Sequence, residues 1–321
     1  MARAATESSP LGAARVVGWA RDHGVYVAFA ALVLFNVIFT TNFATTATLF
    51  NLLIQVAPVL IVSLGMALVI GTEGVDLSVG AVMALASAIV PLYLGYGWPV
   101  AVLIALVVGT LAGALNGTLV AFVGIQPIIA TLALFVGGRG LAQVMVGGQL
   151  QIISDPSFVA LGRAEVLGIP VTVIVAAVLA IAVGFLVQRT TFGRYLLAVG
   201  GNRTASFLSG HPVRAVLVVV YAISGALATI AGVLATARLS AGDPSTIGLL
   251  VELDAIAAVV IGGTPLSGGK VSILGTVMGA LLMQVITATF IMHNLPFTYA
   301  QILKAVVILL AVYIQRGRGA V

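Results

Sequence analysis

Between residues 25 and 315 the chain returns repeatedly to apolar stretches close to twenty residues long, the length of helix that crosses the hydrocarbon core of a bilayer. An α-helix bonds its own N–H and C=O groups, which lipid cannot do, so the expected fold class is all-α, a polytopic membrane bundle. Composition excludes a water-soluble alternative. Of 321 residues, 61% are hydrophobic and 7% charged, with mean hydropathy +1.23, against roughly a quarter charged in soluble domains.

The pattern predicts about ten spans, over 25–40, 52–70, 78–94, 99–121, 128–147, 170–188, 214–237, 249–263, 271–291 and 298–315. Residues 1–24 and 316–321 are then tails, 25–315 one transmembrane domain, and 189–213 its longest loop. No small-residue cleavage site follows the first apolar run, so the amino-terminal tail is expected to remain, mostly disordered. Basic residues collect on the cytoplasmic side of membranes. An even span count with both ends inside places nine arginines in the cytoplasm, at 3, 15, 21, 189, 194, 203, 214, 316 and 318, and only Arg163 and Arg238 outside. Topology therefore accounts for the net charge of +5 without a nucleic-acid partner. There are no cysteines, and His23, His211 and His293 are too scattered to hold a metal.

Glycine is abundant, with 37 residues. Between membrane helices small residues let backbones approach. Gly109, Gly113 and Gly117 recur every four residues, as do Gly275 and Gly279, and are expected to be packing ridges. Two glycine-containing segments instead interrupt the helical pattern. "VIGTEGVDLSVG" (69–80) and "VIGGTPLSGG" (260–269) share a frame and each joins one apolar span to the next. Both are candidate re-entrant turns, and such interruptions in corresponding halves of a transporter point to its pathway. The second is followed by Lys270 and approaches a phosphate-binding loop. Thr264 stands where the first glycine is needed and Val271 where a hydroxyl must hold magnesium, so a tight turn between membrane helices is expected, and no ATP site.

Ionisable and polar groups within spans are functional candidates by default. Glu73 and Asp76 lie in the first turn; Asp76 precedes a helix start, where a carboxylate would also serve as a cap. Glu252 and Asp254 head the eighth span, two residues apart and on different faces, as caps or as parts of a gate. Thr131, Arg139 and Gln143 follow a four-residue spacing, with Gln126 just before them. Together with Gln55, Asn116 and Gln284, they either line a substrate path or bond neighbouring helices. No carboxylate, histidine or serine constellation suggests a hydrolase. In the long loop, "NRTASFLSG" is a short amphipathic segment set off by Gly200, Gly201 and Gly210, suited to a partner protein or to a plain connector.

"GTEGVDLSVGAVMALASA", "IQPIIATLAL", "RTTFGRYLLAVGGNRTASFLSG" and "VELDAIAAVVIGGTPLSGGK" resemble, in order, the motifs of the sugar-type permeases of bacterial ABC importers. This group includes ribose and xylose permeases, and the chain looks most similar to its galactofuranose permeases. The resemblance covers about residues 50–315. It implies a non-enzymatic inner-membrane subunit without a cofactor of its own. Its partners would be a second permease chain, identical or paralogous, a cytoplasmic ATPase that binds ATP, and a periplasmic sugar-binding protein. The family's ATPase-coupling segment maps onto Ala198, Gly200, Gly201, Asn202, Ala205 and Gly210. Glu73 stands where the family usually has glycine, His211 where it has isoleucine or valine, and Pro265 where it often has serine. The competing readings are an ion-coupled secondary transporter, which would need paired intramembrane carboxylates facing one cavity, and a membrane enzyme acting on lipid-linked sugars, which would need an acid cluster at one interface.

Overall fold

A computed structural model describes residues 10–316; the ends of both expected tails lie outside them. Thirteen α-helices follow in chain order: α1 (Pro10–Phe39), α2 (Thr46–Gly71), α3 (Val79–Tyr93), α4 (Trp98–Thr118), α5 (Pro127–Met145), α6 (Pro156–Arg163), α7 (Val171–Arg189), α8 (Thr191–Gly201), α9 (Arg203–Leu208), α10 (Val213–Leu239), α11 (Val251–Ile261), α12 (Ile273–Met292) and α13 (Phe297–Arg316). Four two-residue strands form two antiparallel pairs: β1 (Gln151–Ile152) with β4 (Ala241–Gly242), and β2 (Glu165–Val166) with β3 (Ile169–Pro170).

Helices α2 and α10 are mostly buried and form the interior, whereas α4, α5 and α7 lie at the periphery. Helix α10 packs on α4, α2 and α3, and α12 packs on α11, α2 and α1. The expected glycine ridges are the contact surfaces. A Cβ on Gly113 would overlap the Tyr221 carbonyl, and one on Gly225 the Gly109 carbonyl, so α4 and α10 touch backbone to backbone. Gly117 faces Val218 in the same groove. Likewise Gly275 and Gly279 of α12 lie against the carbonyls of Gly262 and Ala258. Dispersion between closely approached backbones holds such helices together where lipid removes the hydrophobic drive.

Among the described residues, seven helical segments are long and apolar enough to cross a membrane, rather than ten: Thr46–Gly71, Val79–Tyr96, Trp98–Val123, Pro127–Met145, Val171–Arg189, Val213–Leu239 and Ile273–Met292. Three of the ten expected spans are shorter. Gly24–Phe39 and Phe297–Leu310 are apolar but brief, and the eighth span contains only the eleven residues of α11. Eleven residues rise about 16 Å, half of a hydrocarbon core. Non-helical chain over 243–250 leads into α11. The described part of the expected amino-terminal tail is helical rather than disordered, because α1 begins at Pro10.

Both interruptions are present, as non-helical chain between α2 and α3 and between α11 and α12. They close their preceding helices in the same way. Gly74 N donates to Val69 O and Glu73 N to Ile70 O; correspondingly, Thr264 N donates to Val259 O and Gly263 N to Val260 O. This is the pattern of a helix ended by a left-handed residue, here Glu73 (φ 64°) and Gly263 (φ 89°). The structural correspondence therefore pairs Glu73 with Gly263, one residue out of step with the shared V-I-G frame. A glycine adopts this conformation freely and a glutamate does not.

Candidate functional site: two membrane breaks and the loop that meets them

Asp76, buried at 1% exposure, organises the first break. Its Oδ1 accepts from Ser78 N (3.0 Å) and Ser78 Oγ (2.6 Å), and its Oδ2 from Ser224 Oγ of α10 (2.8 Å). Asn116 Nδ2 of α4 donates to Ser78 Oγ (2.9 Å), and Thr131 Oγ1 of α5 to Val75 O (3.3 Å). The carboxylate ties α10 to this stretch of backbone, which lipid could not satisfy, while α4 and α5 reach it through Ser78 Oγ and Val75 O. These bonds are those of a turn cap and an interhelical tie. The Tyr221 hydroxyl, buried and without a partner, abuts Gly74 of the same break. Glu73 is exposed.

Both breaks and the long loop meet at a cluster of glycines. Gly269 N donates to Gly71 O (3.1 Å) and joins the second break to the first. Gly200, at the end of α8, enters this junction: a Cβ there would overlap Gly71 O and lie 2.7 Å from Gly269 N. Gly268 faces Gly200 O and Glu73 N, at 2.7 and 2.9 Å from an added Cβ. Gly201, by contrast, has open space beside its α-carbon. Sequence spacing suggested that the two glycines set off a helix; the structure gives Gly200 a different role, close backbone approach.

Helix α9 begins immediately afterwards. Asn202 caps it by accepting from Ala205 N (2.8 Å), while Ala198 O accepts from Asn202 N (3.1 Å). It ends at Leu208 and is closed by a turn in which Gly210 N donates to Phe207 O and His211 N to Ser206 O. Arg203 Nη2 reaches back to Thr72 O in the first break (3.4 Å). Ala205, Phe207 and Leu208 are exposed, the last two at 64% and 80%. The short helix therefore offers an apolar outer face while its inner side is bonded to the membrane turn.

A third polar centre lies around Gly80, in the first turn of α3. Arg139 Nη1 donates to Pro244 O (2.8 Å) and Ile247 O (3.3 Å), and Nη2 to Gly80 O (3.2 Å). Glu252, 3% exposed, places its Oε2 against the Gly80 α-carbon without a hydrogen-bond partner. The remaining candidates are distributed elsewhere. Gln284 Nε2 donates to Gln55 Oε1 (2.9 Å), joining α12 to α2. Asp254 forms the one ion pair among the described residues, with Lys304 Nζ of α13 at 3.0 Å from each carboxylate oxygen. Gln126 is exposed just before α5, and Gln143 is half-buried one turn beyond Arg139. The described residues contain no group of three or more His, Cys, Asp or Glu side chains able to hold a metal.

Ser78, Ser224, Tyr221 and the 243–250 segment were not singled out by sequence. The segment had a visible signal in the turn-rich run "SAGDPSTIG", although its depth in the bundle had none. Lys270 is exposed on the second break, beyond Gly268 and Gly269.

Comparison with known proteins gives this geometry a context. The chain is 40% identical to the galactofuranose transporter permease protein of Escherichia coli (strain K12) over 84% of its own length and 79% of that protein's. It is 38% identical to the ribose import permease protein of the same organism over 94% and 95%, and 41% identical to the fructose import permease protein of Bifidobacterium longum (strain NCC 2705) over 83% and 79%. No solved structure gives a significant match. Residues 48–312 match the family described as the branched-chain amino acid transport system / permease component, and the chain belongs to that family of permeases.

Proposed function

We propose that this chain is the membrane permease subunit of a bacterial ATP-driven importer that moves a monosaccharide across the inner membrane by alternating access. The similar permeases named for galactofuranose, ribose and fructose supply the substrate class. The observation that carries the mechanism is the junction at Gly71, Gly200 and Gly269, which puts the loop bearing α9 in backbone contact with both membrane breaks. In this reading residues 189–213 and both termini are cytoplasmic. An ATPase binds the outer face of α9, its closure on ATP displaces that helix, and the helices adjoining the breaks rock to expose the path to alternate sides. A second permease chain, identical or paralogous, completes the path, and a periplasmic sugar-binding protein delivers the substrate. ATP is bound and hydrolysed by the ATPase. The full topology is ten crossings, with α1, α11 and α13 contributing the short ones. Gln55, Glu73, Asp76, Asn116, Gln126, Thr131, Arg139, Gln143 and Gln284 lie along or support that path, and Glu252 and Asp254 belong to its gate.

The test is Ala205→Arg in the assembled complex. Ala205 is exposed beside Phe207 and Leu208, and a long charged side chain in a packed contact costs about 1–3 kcal/mol. Co-purification of the ATPase or sugar uptake by vesicles should fall, while Thr191→Arg, also at an exposed position of the loop, should have little effect. Normal values of both for Ala205→Arg would reduce α9 to a connector. Uptake by vesicles containing this chain alone would favour an ion-coupled transporter instead.

A further inference from the structure

After α10 ends at Leu239, the chain turns at Ser240, pairs through β4 with β1, and enters the bundle without helical structure. Its course follows α3 in reverse. Gly242 lies against Ser87 O and Pro91, and Gly248 against Gly80 O and Met83. Gly80 is thirteen residues before the end of α3 at Tyr93, about 20 Å along the helix, so the segment reaches well into the hydrocarbon core. Non-helical backbone at that depth must be bonded by protein or face water. Arg139 supplies the bonds, holding Pro244 O and Ile247 O together with Gly80 O in one guanidinium. The other side of the segment exposes Ser245 and Thr246, and half-buried Asp243 accepts from Ser245 N and Thr246 Oγ1. Hydroxyls and a carboxylate on that side belong against an aqueous space.

Arg139 also holds bonding capacity in reserve. Its buried Nε has no partner, nor does Oε2 of Glu252 on the far side of Gly80. Both side chains approach Gly80, but they form no ion pair. A guanidinium that grips three carbonyls, with a spare Nε and a carboxylate oxygen without a partner near the same glycine, has a second partner within the same region of the bundle.

We propose that residues 243–250 are the moving gate of the translocation path, latched shut by Arg139 on their carbonyls and released when Arg139 transfers to Glu252. The inference rests on the importer reading and adds to it a gate element and a switch. Arg139 acts as a positioning residue, through the segment it holds. The root of the gate is anchored to β1 and α6: Ile153 N donates to Ser240 O (2.9 Å) and Arg163 Nη2 to Ser240 Oγ (3.0 Å), and Ile153 and Phe158 are buried against α3, α4 and α10. A movement of β1 and α6 would therefore reach the gate directly.

The cysteine-free chain permits a direct test in vesicles containing the complete transporter. Single cysteines replace Ser245 on the segment and, as a control, the exposed Val166 of the β2–β3 hairpin. Each is exposed to a membrane-impermeant maleimide in the nucleotide-free and ATP–vanadate-trapped states, and uptake is measured on the same vesicles. Reactivity at Ser245→Cys should change several-fold between states and that at Val166→Cys should not. Glu252→Gln, which removes the alternative anionic partner, should abolish the change at Ser245→Cys. Arg139→Gln, which removes the latch, should likewise abolish the difference between the two states. Equal reactivity of Ser245→Cys in the two states, in vesicles that take up sugar, would overturn the gate and leave the importer reading standing. Absence of uptake with the unmodified complex would instead overturn the importer reading on which the gate depends.

Discussion

Gly200 is the position at which one methyl group should do most damage. Its α-carbon faces two main-chain segments, and an added Cβ would overlap Gly71 O and approach Gly269 N to 2.7 Å. Neither obstacle is a side chain that can rotate away, so relief requires α8 to withdraw from both membrane breaks. Overpacking of this kind costs about 1–3 kcal/mol, with rigid neighbours favouring the upper part of that range. Gly→Ala in a helix also recovers up to about 1 kcal/mol of propensity, a gain that Gly201→Ala shares without the clash because nothing lies within 4 Å of its Cβ position. The two alanine variants should therefore differ by about 2 kcal/mol, roughly thirtyfold in an unfolding equilibrium constant. SDS-induced unfolding of the purified permease in mixed micelles measures this difference. Gly200→Ala should unfold at lower denaturant than the parent and Gly201→Ala at or above it. Coincident midpoints would show that the junction yields freely, and the backbone link between α8 and the two breaks would lose its physical basis.

Two further substitutions test the neighbouring geometry. Glu73→Gly should stabilise the same preparation by about 1 kcal/mol, because it relieves a left-handed non-glycine residue, whereas Glu73→Ala should not; equal midpoints for the two would remove the conformational explanation. For the Asp254–Lys304 pair, Asp254→Leu leaves a lysine that is 7% exposed without its partner and should cost about 3 kcal/mol. Lys304→Met should cost less, since the Asp254 side chain is 31% exposed, and the double variant should recover most of the loss in a double-mutant cycle. Additive losses would mean that the two charges are not coupled.

The helical bundle was legible because span length and hydropathy are local properties of the chain. The two breaks were legible for a similar reason, since glycine, proline and helix-capping residues declare themselves over a few positions. Partnership was not. Gln55 and Gln284 are separated by 229 residues, and nothing in the surroundings of either distinguishes a helix-to-helix bond from a path-lining amide. Asp76 could be placed before a helix start, yet Ser224, which completes its bonding, lies 148 residues away. The four-residue spacing of Thr131, Arg139 and Gln143 put them on one drifting face, but they have separate surroundings: Thr131 bonds to Val75 O, Arg139 grips three carbonyls, and Gln143 is half-buried. Hydropathy marked 249–263 as one apolar stretch without showing where the helix begins: Leu249 and Leu250 lie in a turn, and α11 starts at Val251. The left-handed backbone of Glu73 (φ 64°) is one that glycine, which the family resemblance implies at this position, adopts freely.

The glycine junction also bears on how accurately a displacement can be delivered. A linkage that runs through long side chains has play in it, because rotamers shift and absorb the first part of any movement. Where Gly200 meets Gly71 and Gly269, main chain presses on main chain, and there is almost nothing between them to deform. An ångström of travel at α9 would arrive at both breaks with little backlash and nearly at the same time. The same absence of slack makes the contact intolerant: a larger residue would hold the parts apart, and a gap would let the driving helix move without the driven ones.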